Sequence, residues 1–231
     1  MTSFLDLTNK VLIKLNELPL TSSTFGSATG FHAVAKEAVN NSIRAINRES
    51  YEWPFNHATT TDNLVNDQVE YDFPTNAKVL DFDTFTLAYD QDGTTHYKTL
   101  QLIDYDTYIK WHFVQDKNLI GTTDGRVPDY VFRHGDKYGV TPVPYGTMSV
   151  TYNSFSWPDT LVNYNDSCSI SSRYDDVIVF GAMAECYDFR TMNTQANKAD
   201  LMFKEGIKQM RTHLLNDYQY VRDTRISRDL G

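Results

Sequence analysis

Apolar and polar positions fall into three regimes along the chain. Between Phe4 and Leu18 the apolar residues Leu7, Val11, Leu15 and Leu18 return at three- and four-residue steps, the spacing of one helix face. Pro19 closes that helix, and Thr21 to Gly30 has the Ser, Thr and Gly content of a loop. Phe31, Val34, Ala38, Ile43 and Ile46 then restore a helical stripe. It ends at Trp53-Pro54, because a residue before proline avoids the α region.

From Ala58 to Phe155 the pattern changes. Val69-Glu70-Tyr71-Asp72-Phe73 alternates apolar with polar, as a half-buried strand does when successive side chains point to opposite faces. Phe82, Phe85, Leu87 and Tyr89 run into Asp90-Gln91-Asp92-Gly93, and Thr94 to Ile103 is again rich in Thr, Tyr, Leu and Ile, which predicts a hairpin and its turn. Further strands are expected at 129–133, 138–141 and 148–155, punctuated by Gly and Pro. A short amphipathic helix is expected over 105–114. The sum is a β unit of about five to seven strands.

Helical spacing returns after Trp157-Pro158-Asp159. Ser172 with Asp175 three positions on reads as a capping box, the carboxylate reaching back to the capping amide. Val177, Phe180, Gly181, Ala184 and Tyr187 form the apolar face of that helix. A last helix opens at Thr194-Gln195-Ala196, with Ala199, Phe203, Ile207, Met210 and Leu214 as a seam close to that of a bundle. Each long helix has one apolar stripe and needs a partner to bury it. The expected fold is therefore α+β: a four-helix bundle from residues 1–56 and 172–216, an inserted antiparallel β domain over 57–171, and an extended C-terminal arm over 217–231. In that arm Tyr218, Tyr220, Val221, Ile226 and Leu230 are spread among Arg222, Arg225 and Arg228. Such a segment is either a frayed terminus or an arm that orders on a neighbouring chain.

Composition sharpens this picture. With 231 residues, 41% hydrophobic and 22% charged, the chain has ordinary globular usage, which excludes a disordered or fibrous protein. The formal charge of −9 opposes wrapping by DNA or RNA. The helical segments and the tail are balanced. All of the excess lies between His57 and Ser172, with 7 basic residues against 16 acidic ones, 15 of them Asp. Cys168 and Cys186 fit free thiols in a reducing cytoplasm rather than a disulfide framework. Neither a secretion signal nor a membrane-spanning run is expected.

Candidate chemistry is sparse. The six histidines are scattered without metal-ligand spacing. Asp90-x-Asp92-Gly93 lacks the preceding acidic ligand and the later Glu of a calcium loop, and hairpin turn chemistry accounts for it. The pairs Asp81/Asp83 and Asp104/Asp106 are two apart, which suits a solvated strand face better than an acid and base set across a cleft. There is no Gly-x-Ser-x-Gly elbow, and Gly121–Arg126 lacks the length and ending of a phosphate loop. No cofactor or metal is implied, and no enzyme. The aromatic content of 13% suits a core and subunit interfaces. A non-enzymatic assembly protein is the leading class.

The order of short signatures is more specific. Trp53-Pro54-Phe55-Asn56, Tyr71-Asp72-Phe73-Pro74, Pro128-Asp129-Tyr130-Val131-Phe132, Val140-Thr141-Pro142-Val143-Pro144 and Val150-Thr151-Tyr152, followed by two helices and an Arg-bearing tail, resemble the head-to-tail adaptors of short-tailed bacteriophages, the tail tubular protein A type. The resemblance implies a virion protein of the neck or tail, assembled in the host cytoplasm. It also implies a homo-oligomeric ring of about twelve copies between the portal protein and the tail nozzle protein. DNA would pass through without specific binding, and no membrane would be involved. The portal-docking arm would correspond to Tyr218, Tyr220, Arg222, Arg225, Arg228 and Leu230. In a DNA conduit, Asp81, Asp83, Asp90, Asp92, Asp104 and Asp106 become candidates for an acidic channel lining. The rival readings are a tail-associated carbohydrate or host-recognition module and, more remotely, a cell-wall hydrolase working through such a carboxylate pair.

Overall fold

The computed structural model describes residues 1–50, 52–91 and 93–215. The helices in chain order are α1 (Phe4–Lys14), α2 (Ser22–Phe25), α3 (Phe31–Glu49), α4 (Tyr105–Trp111), α5 (Phe113–Leu119), α6 (Asp175–Phe189) and α7 (Asn193–Leu214). The strands are β1 (His57–Asn63), β2 (Glu70–Asp72), β3 (Ala77–Gln91), β4 (Thr94–Thr99), β5 (Gln101–Ile103), β6 (Tyr130–His134), β7 (Lys137–Thr141) and β8 (Met148–Ser156). The fold is α+β and divides into a helical unit, Met1–Asn56 with the described residues from Pro158 onward, and a β unit, His57–Trp157.

In the helical unit, Ser3 Oγ accepts the Asp6 amide at 3.1 Å and opens α1, whose Phe4, Leu7, Val11 and Leu12 are buried. The helix does not run to Pro19 as its spacing predicts. Asn16 takes a left-handed φ of 57°, its amide bonds Ile13 O at 3.1 Å, and the Glu17 amide bonds Leu12 O at 2.9 Å. This paired closure ends the helix early, because Asn tolerates the left-handed conformation. Leu18 is consequently exposed. The stretch expected to be a plain loop holds α2, where Thr21 and Thr24 cap each other reciprocally and Phe25 enters the core edge-on to Phe4, with centroids 5.0 Å apart.

Helix α6 lies at the centre of this unit, packed by α1, α3 and α7, and α1 also packs on α3. Its contacts are close because two glycines lie on the crossings. A Cβ on Gly181 would come within 2.3 Å of Ser42 Oγ and 2.8 Å of Phe203, and one on Gly206 within 2.8 Å of Val177. Ser42 Oγ donates to Ile178 O at 2.9 Å, joining α3 to α6. The expected capping box is replaced: Ser171 accepts the Arg173 amide, a 3-10 turn occupies Ser172–Tyr174, and α6 starts at Asp175. The Asp175 carboxylate instead accepts from Thr2 Oγ1 and Lys10 Nζ, both at 2.6 Å. A charge-assisted tertiary contact outcompetes the local one. Thr191, at φ 58°, turns the chain from α6 into α7.

The β unit contains two four-stranded sheets, ordered β1-β8-β3-β4 and β2-β7-β6-β5. All pairings are antiparallel except β5 with β6. Leu80, Phe85, Leu87, Val150 and Tyr152 of the first sheet share one buried cluster with Tyr71, Val131, Tyr138 and Val140 of the second. Phe85 stacks on Tyr152 at 4.5 Å. Where β3 slips in register against β8 between Asp81 and Thr86, Thr84 Oγ1 donates to Asp81 O at 2.7 Å and accepts the Asn153 amide at 2.9 Å. Helix α4 covers the second sheet through Tyr108 stacked on Phe132 at 4.0 Å and Tyr105 on His134 at 4.1 Å. The Phe132 ring lies over Gly139, where a Cβ would come within 2.1 Å of it.

Several expectations change here. The helix expected over 105–114 is two short helices with His112 between them. β1 was not expected as a strand, because its Ala, Thr, Asp and Asn residues carry no apolar alternation. Residues 158–171, assigned to the β domain by composition, pack in the helical unit. Leu161, Cys168 and Ile170 are buried in its core, and the Phe4 amide donates to Asp166 O at 2.8 Å.

Candidate functional site

Two kinds of place can carry function: clusters of interior polar groups and solvent-facing charged or apolar surfaces. In the β unit the interior groups are tethers. Asp62 Oδ2 accepts the phenols of Tyr138 at 2.8 Å and Tyr152 at 2.7 Å, tying β1 to residues of both sheets. Both phenols are held far above their usual range, first by burial and then by that carboxylate. Arg126 is buried and fully engaged. It pairs with Asp67 Oδ1 at 2.6 Å, donates to Thr122 Oγ1 at 2.6 Å, to Val143 O at 3.1 Å and to Leu119 O, and lies over the Tyr145 ring.

Asp116 on α5 is the other buried charge. Its Oδ1 accepts the Val143 amide at 2.8 Å, while Oδ2 and the Thr141 hydroxyl have no hydrogen-bond partner. Burial raises its pKa; the Val143 amide, the nearby Thr141 and Tyr108 hydroxyls and His112 favour the charged form but do not outweigh it. Asp116 lies at a groove of about 550 Å³ lined also by Asp67, Glu70, Tyr105, Tyr108 and Lys117. Glu70 and Lys117 line the same groove, and Tyr108 there is itself raised, first by burial and then by Asp116.

The described carboxylates singled out in the sequence lie at separate places in the β unit. Asp81 and Asp83 flank the register slip of β3, and the Asp83 amide donates to Asp81 Oδ1 at 3.3 Å. Asp90 accepts from Thr95 Oγ1 at 2.9 Å across the hairpin. Asp104 and Asp106 were expected on a strand face. Instead Asp104 is the capping residue of α4, with no side-chain cap bond, and Asp106 lies in its first turn, where negative charge suits the helix dipole. Asp83, Asp90, Asp104 and Asp106 are exposed. Asp92 lies outside the described residues. So do Tyr218, Tyr220, Arg222, Arg225, Arg228 and Leu230. Among the described residues no group of three His, Cys, Asp or Glu side chains is arranged to hold a metal, and no helix is long and apolar enough to cross a membrane.

On the helical unit, Lys204, Lys208 and Arg211 follow one another along α7 and, with Glu49, Ile207 and Leu215, line a groove of about 360 Å³. Lys204 is paired with Asp200 at 2.7 Å, and the three cations against Asp200 and Glu49 leave this groove one positive charge in excess, beside the apolar Ile207 and Leu215. Such a groove can seat an acidic and apolar partner segment. Its signal in the sequence is the four- and three-residue spacing of the three basic residues. The β unit, by contrast, carries 7 basic against 14 acidic residues. Its α4–α5 segment exposes Trp111 and Val114, 70% and 66% accessible, which a spacing argument alone would have buried.

Residues 2–228 match the model of one protein family, described as SU10 adaptor protein. No curated protein matches the chain.

Proposed function

The chain belongs to the SU10 adaptor protein family, a family of phage adaptor proteins, and from that premise we propose that it is a non-enzymatic head-to-tail adaptor that forms a ring between portal and tail nozzle. The observation that carries this reading is the family match over residues 2–228. The architecture supports it. A helical unit with a cationic groove and a separate acidic β unit offer chemically different surfaces to two different neighbours. Heterologous contacts between copies close into a ring when the rotation divides a circle. About twelve copies, as in the tail tubular protein A type, would enclose a conduit for DNA.

In that ring the long helices of the two chain ends form a bundle. Exposed Asp83, Asp90, Asp104 and Asp106 would repel the phosphate backbone, so that DNA passes without being held. Residues 217–231, with Tyr220, Arg222, Arg225 and Arg228, would dock on the portal, repeated around the ring so that no single contact has to be strong. The test is to mix the full chain with portal complexes and image the product by electron microscopy. A collar at the portal exit is expected. A protein that stays monomeric with portal present overturns the reading, and removal of residues 217–231 should abolish attachment while leaving helical content unchanged.

A further inference from the structure

The two sheets treat their edges differently. In the β2-β7-β6-β5 sheet both edge strands have 3 residues, the shortening by which folds commonly blunt an edge. The β1-β8-β3-β4 sheet leaves edges of 7 residues in β1 and 6 in β4. Neither edge contains Pro, and the register shifts of this sheet lie between β3 and β8 rather than in the edge pairings. Alternate residues of an edge strand aim N–H and C=O groups away from the sheet. No strand among the described residues takes these groups up.

We infer that β4 of one copy pairs with β1 of a second copy, antiparallel, so that this sheet continues from subunit to subunit. Strand direction supplies the first reason. Every neighbouring pair in the sheet is antiparallel and the strands are 4 in number, so β1 and β4 run in opposite directions; a second copy's β1 laid beside β4 preserves the alternation. The joint uses two different edges of the same chain, which is the heterologous contact a closed ring needs. Side chains supply the second. Thr59 and Thr61 of β1, and Thr95 and Tyr97 of β4, are exposed, and Tyr97 is 73% accessible in the single chain. Aromatic and Thr residues on facing strands form favourable cross-strand pairs.

This contact rests on the ring reading, and the test separates the two. Four double variants combine Thr59→Cys or Thr61→Cys with Thr95→Cys or Tyr97→Cys, covering adjacent registers. Each is assembled on portal complexes and oxidised. The native thiols do not interfere, because both are buried and burial pushes Cys168 up to about 11 and Cys186 up to about 12. A ladder of cross-linked multimers from a double variant, absent from each single variant, is the expected result. Cross-linking of a single variant to dimers would show self-paired edges and overturn the proposal. Wild-type collars with no ladder from any double variant, or full collars from Tyr97→Pro, overturn it while leaving the ring in place. If wild-type collars never form, the ring falls and this contact with it.

Discussion

At the scale of single residues, the decisive features are buried polar groups whose partners lie far away in the chain. Asp116 shows why they matter. In the fold its carboxyl is raised above its ordinary value, chiefly by burial, so the native state keeps a proton that the unfolded chain releases. Stability therefore falls as pH climbs from the unfolded value through the folded one, and the penalty persists at neutral pH. Asp116→Asn preserves an acceptor for the Val143 amide and removes the charge. The variant is expected to be more stable at pH 7 by about 1 kcal/mol, or about 2–4 °C in Tm, with the gain vanishing near pH 3. Thermal melts of both proteins at the two pH values check the sign; an equal effect at both would rule out the charge as its cause.

At the scale of elements, the helices are legible from spacing, but their ends and contacts follow from particular atoms. The stripe Leu7, Val11, Leu15 finds α1, yet Asn16 stops it before Pro19. Asp175 was legible as a carboxylate at a helix start; its partners Thr2 and Lys10 were not, because they sit more than 160 residues away. Glycines on α6 and α7 set how closely the helices cross. Gly181→Ala improves intrinsic helix propensity by about 1 kcal/mol, but its Cβ meets Ser42 Oγ, whose hydrogen bond to Ile178 O would have to break. The clash and the lost bond win, and a net loss of about 1–3 kcal/mol is expected in denaturant melts. Gly125→Ala, where a Cβ meets nothing within 4 Å, should be near neutral and serves as the comparison.

At the scale of the whole molecule, the β unit's dependence on neutral phenols gives a pH signature. Tyr71, Tyr108, Tyr138 and Tyr152 all titrate above the usual phenol value, with burial the leading cause in each. A folded value above the unfolded one means that their contribution is complete below about pH 10 and is lost as pH rises beyond it, because the unfolded chain ionises first. Alkaline titration followed by tyrosinate absorbance should show the exposed phenols ionising early and these ionising together with loss of circular dichroism. Smooth titration of every tyrosine in a protein that stays folded would contradict the burial.

Read from spacing, composition and local turn chemistry, the sequence by itself determined the α+β class, the long helices at both ends of the chain, the hairpin at Asp90–Thr94, the location of the acidic excess and the resemblance to a phage adaptor. These are local or additive properties, and each is carried by residues close together in the chain. Tertiary structure decided the rest. It made an eighth strand of the polar run His57–Asn63, moved residues 158–171 into the helical unit, broke the helix expected over 105–114 in two at His112, and set Asp62 between two phenols of different sheets. These outcomes depend on which distant groups meet, and on whether a buried polar atom finds its partner, which no window of neighbouring residues contains.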